Sequence, residues 1–433
     1  MIDSRHEFVV VGSGAGGATL ARELARRGRD VLVIERGKPE KKIGSFRDCL
    51  RYFDTTPARM PTRSQEGVIL WRTFMAGGST MVSCGNGVRC LEKELGELGI
   101  TLDAEFSEAE RELGCAPIDE RLLSEGSLAL RDAAASLGFH MEPMPKFVDA
   151  VRCAKCGQCV LGCIHGGKWT ALEYVREAET QGALTMYGVR VDRVLISNGK
   201  AQGVSVIGPE GRHEIAAGAV VLAAGGLGTP VILQRSGISE AGQGFFVDLF
   251  VNTYGMTKGL NQIHEPTMAL VDLEFHESQG FILSPMVNHP RAVRAMELGP
   301  SALTTSSKNL LGIMAKITDA PAGRVYPNGH VSKPVTAEDW TKLREGARIS
   351  GEILVKAGVE PGSVLTSCPQ GAHPGGTAAV GKVVDADLQT KVDGLFVCDA
   401  SVLPEAPGLP PIVTIVALAK RLAGALTGRP TAR

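Results

Sequence analysis

No excess of either charge sign runs through the 433 residues: 46 lysines and arginines against 47 acidic residues leave a formal charge of -1. So balanced a chain has no global field for attracting nucleic acid or an acidic membrane, and nucleic acid is not expected as a partner. Cysteine is scarce as well. Ten cysteines are too few for a disulfide-stapled scaffold, and four of them are crowded together, which favours metal binding and a reducing compartment. Long uninterrupted apolar runs are missing. The two best candidates are AAGAVVLAAGGLGTPVIL (216–233), broken by four glycines and Pro230, and IVTIVALAKRLAGAL (412–426), broken by Lys420 and Arg421. Both read as buried elements rather than membrane spans. The opening MIDSRHEFVVVG lacks the basic, apolar, small-residue layout of an export signal, so a cytoplasmic location is the expectation. Internal repeats and low-complexity tails are absent too. The length supports a large core divided over two or three structural units.

What is present begins at once. EFVVVGSGAGGATLARELARRGRDVLVIERG reads as strand, glycine-rich turn, helix and second strand (Val31 to Ile34), a β-α-β unit that implies a parallel, doubly wound sheet. Residues 104–137 read as amphipathic helices. From 183 to 222 the pattern turns to strands, with a hairpin signal at Asn198-Gly199. A helix is predicted around 337–357, and the C-terminal region reads as a strand, a loop and a final helix starting at a proline.

Gly12, Gly14 and Gly17 form G-x-G-x-x-G between a strand and a helix, the context that gives this motif meaning. The first glycine permits the tight turn, the second lets backbone approach a pyrophosphate, and the third allows close helix-strand packing. The helix N-terminus adds unpaired N–H groups and partial positive charge. Glu35 ends the second strand, where its carboxylate can accept from a ribose hydroxyl. This much does not choose between NAD and FAD.

A second chemistry lies at VRCAKCGQCVLGCIHGG (151–167), where Cys153, Cys156, Cys159 and Cys163 follow C-x2-C-x2-C-x3-C. That is the ligand spacing of bacterial-type iron-sulfur clusters, with Gly157 and Gly162 letting amides turn toward the sulfides. Structural zinc usually draws on two separated knuckles, and no second knuckle is evident. Zinc and free or redox-active thiols are the alternatives to a 4Fe-4S cluster. Ile164 stands where a proline often follows the fourth cysteine. A three-iron cluster, or a remote ligand such as Cys84, Cys90 or Cys368, stays open.

MAGGSTMVSCGNG (75–87), AAGGLGTPVILQRSGI (223–238) and HPGGTAAVGKVVDADLQTKVDGLFVCDASVLPEAPGLPPIVTIVALA, together with the opening motif, make the chain resemble the glucose-methanol-choline (GMC) oxidoreductases, a family of FAD enzymes. The blocks stand in family order and span most of the chain, with 240–365 matching weakly. The resemblance implies an α/β fold in which a discontinuous Rossmann-like FAD-binding domain (1–103, 165–235 and 366–433) carries an inserted α+β substrate domain (104–150 and 236–365). The cysteine-rich loop (151–164) lies between them. It implies that Gly12, Ser13, Gly14, Ala15, Gly16 and Gly17, with Glu35 and Arg36, hold the ADP half. Gly77, Gly78, Ser79 and Thr80 would cover pyrophosphate and flavin, with Val191 against the adenine. Ala224, Gly225, Asp399 and Ala400 complete the expected cofactor site. Pro411, starting the last helix, would aim that helix's positive end at the flavin.

By the same resemblance His373 is the expected catalytic base, and imidazole suits it because its ordinary pKa lies near neutrality. The family's second histidine or asparagine falls on Pro410, which can neither donate a side-chain hydrogen bond nor take a proton. His264 is a weak candidate to replace it. Flavin accepts electrons in pairs and a cluster passes them singly, so the combination implies a dehydrogenase. It would take hydride from an alcohol and pass electrons to a redox protein or a quinone, with a partner subunit an open question. A reductase of a carbonyl or activated double bond, a redox-neutral lyase and a non-catalytic FAD/iron-sulfur subunit are the rival readings.

Overall fold

The computed structural model describes residues 5–56, 60–288 and 290–428. The predicted β-α-β opening forms as strand Arg5–Val11, helix Ala15–Ala25 and strand Val31–Glu35. Their central stretches, Phe8 to Val11 and Val31 to Ile34, are apolar and almost without exposure, as strands covered on both faces require. In the first sheet, Leu184–Tyr187, Val31–Glu35, Arg5–Val11, the end of Gly211–Leu222 and Leu395–Val397 lie side by side and parallel. An antiparallel meander, Arg190–Ser197, Lys200–Gly208 and Gly211–Leu222, extends the sheet. Its first turn is Asn198-Gly199, with φ of 51° and 73°, matching the left-handed conformation an Asn-Gly hairpin demands.

Helices Ala15–Ala25, Ala171–Thr180, Asp103–Leu113 and Ile412–Leu426 pack together over this sheet. One buried charge network ties all four. Glu112 accepts from Arg22 Nη1 (2.7 Å), Lys420 Nζ (2.8 Å) and the Tyr174 hydroxyl (2.8 Å), and the Arg22 guanidinium lies 3.8 Å from the Tyr174 ring centre. These partners pull the Glu112 carboxyl down to about 2 against the opposing effect of burial.

A second, largely antiparallel sheet runs Phe281–Pro285, Leu310–Ile317, Leu249–Met256, Gln370–Gly371 and Ile69–Leu70. Two of its strands come from segments that the sequence assigned to the nucleotide-binding part, 1–103 and 366–433. Short extended pieces there find their backbone partners across the domain line. The helix at 337–357 forms as Ala337–Lys356 behind a Thr336/Asp339 capping box and packs against one face of this sheet. Strand Leu310–Ile317 divides accordingly. Leu311, Ile313, Ala315 and Ile317 enter the helix-side core, while Met314 joins a separate cluster and Lys316 faces a cavity between the two sheets. Among the described residues no helix is long and apolar enough to cross a membrane.

Candidate active site

The glycine turn is built to leave one side open. A Cβ on Gly12 would sit 2.3 Å from the Ala223 carbonyl oxygen, one on Gly16 1.9 Å from that of Cys398, and one on Gly17 2.0 Å from that of Gly12. At Gly14 a Cβ would meet nothing within 4 Å. The loop is therefore jammed against the sheet on one side and bare at the position where backbone must approach a pyrophosphate. Gly14 and its neighbours open into a cavity of about 780 Å³, within the ordinary range for cofactor pockets of roughly 300–1,000 Å³.

Most of the expected cofactor residues line this cavity: Gly12 to Gly16, Glu35 and Arg36, Gly78 to Thr80, Val191, Ala224 and Gly225, Asp399, Ala400 and Pro411. Gly17 and Gly77 stand behind it. Gly77, at φ 85°, donates its N–H to Ser13 Oγ (3.0 Å), which donates in turn to Glu35 (2.7 Å). Both oxygens of Glu35 already have partners, because Ser13 N–H and Gly37 N–H also donate to them (2.9 and 2.6 Å). A carboxylate with four lone-pair positions can still accept from a ribose hydroxyl. The Arg36 guanidinium lies 3.9 Å from the Phe74 ring centre. Burial pushes Asp399 upward, and all its observed bonds are to protein: Gly225 N–H, the Thr229 hydroxyl, and the N–H and hydroxyl of Ser401. It holds the final segment against the Ala224 loop. Pro411 caps helix Ile412–Leu426 rather than being its first residue, and the helix N-terminus faces the cavity.

At the far end stands His373. Its Nδ1 is 2.8 Å from Asp248 Oδ2, and the other carboxylate oxygen of Asp248 accepts from Gly408 N–H at 2.9 Å. Asp248 has no exposure. Burial pushes Asp248 upward and His373 downward, with Lys316 and the Gly408 amide opposing the rise at Asp248. An ionised Asp248 fixes the proton on Nδ1 and leaves Nε2 as a lone-pair acceptor, the form a general base needs. Pro410 lines the cavity beside it, so the space of the family's second polar residue holds a pyrrolidine ring. His264 is exposed and is not among the cavity residues, so it does not fill that role.

Sequence reading missed Asp248, Lys316 and Gln370, whose side chain accepts from Trp71 Nε1 (2.7 Å) at the same end of the cavity. The signal was there to find: FFVDLF and LLGIMAKI each carry one charged residue inside an apolar strand pattern, where burial without a purpose is costly.

The four clustered cysteines lie outside the cavity wall, yet their loop supplies Val160 and Leu161 to it. Every cysteine among the described residues is free. One of the four sulfurs accepts a backbone N–H group, Cys163 from Gly167 (3.3 Å). The backbone is left-handed at Lys155 and Gly157. Among the described residues no three His, Cys, Asp or Glu side chains are drawn together into a metal-ion site. Cys84 lines the cavity and is an electrostatic neighbour of Cys159.

A doubly wound dinucleotide cradle ending at a histidine-carboxylate pair defines a dinucleotide-dependent oxidoreductase. The family is then plain. The family descriptions for GMC oxidoreductase match residues 7–250 (N-terminal part) and 320–419 (C-terminal part), and the chain belongs to that family of flavin enzymes. The interval between those matches falls in the stretch where the sequence resemblance is weak. An uncharacterized protein of Methanocaldococcus jannaschii is 31% identical over 420 residues, covering 96% of this chain and 98% of its own length. An Arabidopsis thaliana long-chain-alcohol oxidase is 24% identical over 516 residues, covering 97% of this chain and 68% of its own. Among solved structures, pyridoxine 4-oxidase from Mesorbium loti superposes with a TM-score of 0.75 at 18% identity, covering 98% of this chain and 100% of its own, and thereby supports the fold.

Proposed function

We propose that the protein is an FAD-dependent dehydrogenase that takes hydride from an alcohol to give a carbonyl and delivers the electrons, through a 4Fe-4S cluster on Cys153, Cys156, Cys159 and Cys163, to an external acceptor. The observation that carries this reading is that His373, held by Asp248 behind it, and Val160 and Leu161 of the cysteine loop line one and the same cavity. His373 Nε2 takes the hydroxyl proton, and Asp248 holds the ring in place and stabilises the imidazolium that forms. When bound, FAD supplies the hydride acceptor. The glycine turn, Glu35 and the Gly78–Thr80 segment hold its nucleotide and pyrophosphate parts, and Phe250, Met286 and Met314 give the substrate end an apolar wall that excludes water.

The cysteine loop suits an iron-sulfur group by its donors: four free thiols at ligand spacing on one short loop, one of them already accepting a backbone N–H, from Gly167. Such a cluster would pass electrons singly out of the cavity, past Val160, Leu161 and Cys84. The acceptor would be a redox protein or a quinone. The experiment is oxygen-free purification with visible and EPR spectra, iron and zinc analysis, and turnover of primary and secondary alcohols with an artificial acceptor. Flavin bands, about four irons per chain and acceptor-dependent turnover support the reading; zinc in place of iron, or no metal, removes the relay. Because the Arabidopsis relative and the pyridoxine enzyme are named as oxidases, oxygen uptake is measured alongside. Turnover as fast with oxygen as with the artificial acceptor would make the protein an oxidase.

A further inference from the structure

Three residues from neighbouring strands stand in one row of the second sheet. Lys316 pairs with Phe250, and Phe250 pairs with Gln370. Directly paired residues project from the same face, and all three line the cavity at the His373 end. Lys316 is 2% exposed. Among the described residues its ammonium has no hydrogen bond and no ion pair. Its electrostatic neighbours include Asp248 and His373, the pair that handles the substrate proton. An ammonium buried in an apolar strand, with all three of its donors unused, is costly unless something enters to accept from them.

What enters must be an oxygen that carries charge. As the substrate's O–H proton passes to His373 Nε2 and hydride leaves the same carbon for the flavin, the C–O single bond becomes C=O and negative charge gathers transiently on that oxygen. In the family pattern a second histidine or asparagine stands near this oxygen, and here that place is Pro410. Resting on the alcohol reading above, we infer that Lys316 is the replacement: its ammonium donates a hydrogen bond to the oxygen on the reacting carbon, from the sheet side of the cavity rather than from the segment before the last helix. Lys316 keeps its proton throughout, so the electron and proton count of the reaction is unchanged. The contact touches the reacting atoms, which makes Lys316 a second catalytic residue.

The test uses the full flavin-loaded chain and benzoate, whose carboxylate offers a charged oxygen beside a ring, titrated by calorimetry. The wild-type protein should bind benzoate. Lys316→Met, which keeps the length of the side chain and removes its charge, should weaken binding by roughly tenfold to a hundredfold, the usual worth of a hydrogen bond to a charged group. Lys316→Arg, which keeps the charge in a different donor geometry, should bind benzoate more tightly than K316M. In alcohol turnover K316M should lose roughly a hundredfold to a thousandfold in kcat with little change in KM, as for removal of one oxyanion donor. Should K316M not fold, Lys316→Leu, likewise without a donor, supplies the same comparison. No benzoate binding by the wild type, equal binding by folded K316M, or turnover of K316M within about threefold of wild type overturns the inference. A lysine that only balanced Asp248 inside the fold would leave benzoate affinity unmoved. If no alcohol is oxidised yet benzoate binding depends on Lys316, the reaction class falls and the Lys316 contact stands.

Discussion

Replacing Asp248 by asparagine should stop the base without breaking the fold, and the reason lies in which atoms face it. One oxygen of Asp248 accepts from Gly408 N–H at 2.9 Å and the other faces His373 Nδ1 at 2.8 Å. An asparagine must give its single oxygen to the Gly408 donor, since two N–H groups cannot face each other. Its amide nitrogen then points at His373 Nδ1 and donates to it, so the ring proton moves to Nε2, the atom that should receive the substrate's proton. Tautomer reversal of this kind removes general-base action, an expected loss of roughly a hundredfold to ten-thousandfold in kcat, or about 3 to 5 kcal/mol of barrier. The backbone should tolerate the change. Asp248 sits at φ 50°, and asparagine is among the few side chains that accept this region readily. Burial disfavours the Asp248 carboxylate, so the neutral amide should leave the melting temperature unchanged or higher at pH 8. Kinetics with an artificial acceptor, flavin absorbance and thermal melts decide it. Turnover of D248N within about threefold of wild type, with flavin bound, would refute the assignment of Asp248 as the positioning carboxylate.

Gly16→Ala should prevent folding or flavin retention, since its methyl would fall 1.9 Å from the Cys398 carbonyl oxygen, whereas Gly14→Val should fold but lose FAD, because its side chain enters open cavity; expression, melting and flavin content separate the two. Glu112 lies far below its ordinary 4.5, at about 2, so its network adds stability that is fully present above pH 4.5 and is lost as pH falls toward 2. Glu112→Gln should lower stability at neutral pH by roughly 1 to 2 kcal/mol, the shift being discounted for solvent screening, and flatten the acid limb of a stability-pH curve; an unchanged curve would count against it. Cys156→Ser should lose iron while keeping FAD, read by metal analysis and the visible spectrum; full iron content would point to another ligand set.

The legible part of the fold was the part whose backbone chemistry is local. The glycine turn, the strand ending at Glu35, the Asn198-Gly199 hairpin and the Thr336-capped helix each follow from residues within a few positions of one another, and each formed as read. Domain membership was harder because it depends on pairing across long separations. Ile69–Leu70 is two residues long, and nothing within it says that its partner is Gln370–Gly371, about three hundred residues away. The site divides the same way. Residues in the glycine-rich blocks were legible as motifs and mostly line the cavity, whereas Asp248 and Lys316 belong to strands that the tertiary fold brings to His373, and they announce themselves only as charges in the wrong company.

That company extends beyond Lys316. Lys146 and Lys168 are 1% and 4% exposed, and neither has a carboxylate at ion-pair distance among the described residues. Lys146 donates to the Cys84 and Thr267 carbonyls and to Asn86, and Lys168 donates to the Ser83 and Cys159 carbonyls. Cys84 and Cys159 are electrostatic neighbours of both lysines, and Cys84 of Lys316 as well. Carbonyl dipoles ease the burial of an ammonium but do not cancel its charge, and each uncompensated ion costs several kcal/mol. Three such lysines lie between the cysteine loop and the His373 end, with Asp248 near Lys316 and Glu265 near Lys146 as their carboxylate neighbours. On the reading proposed above, this basic wall would face thiolates on one side and, on the other, an oxygen that becomes negative as its carbon gives up hydride. The lysines would then offset in the working protein what they cost in the empty fold.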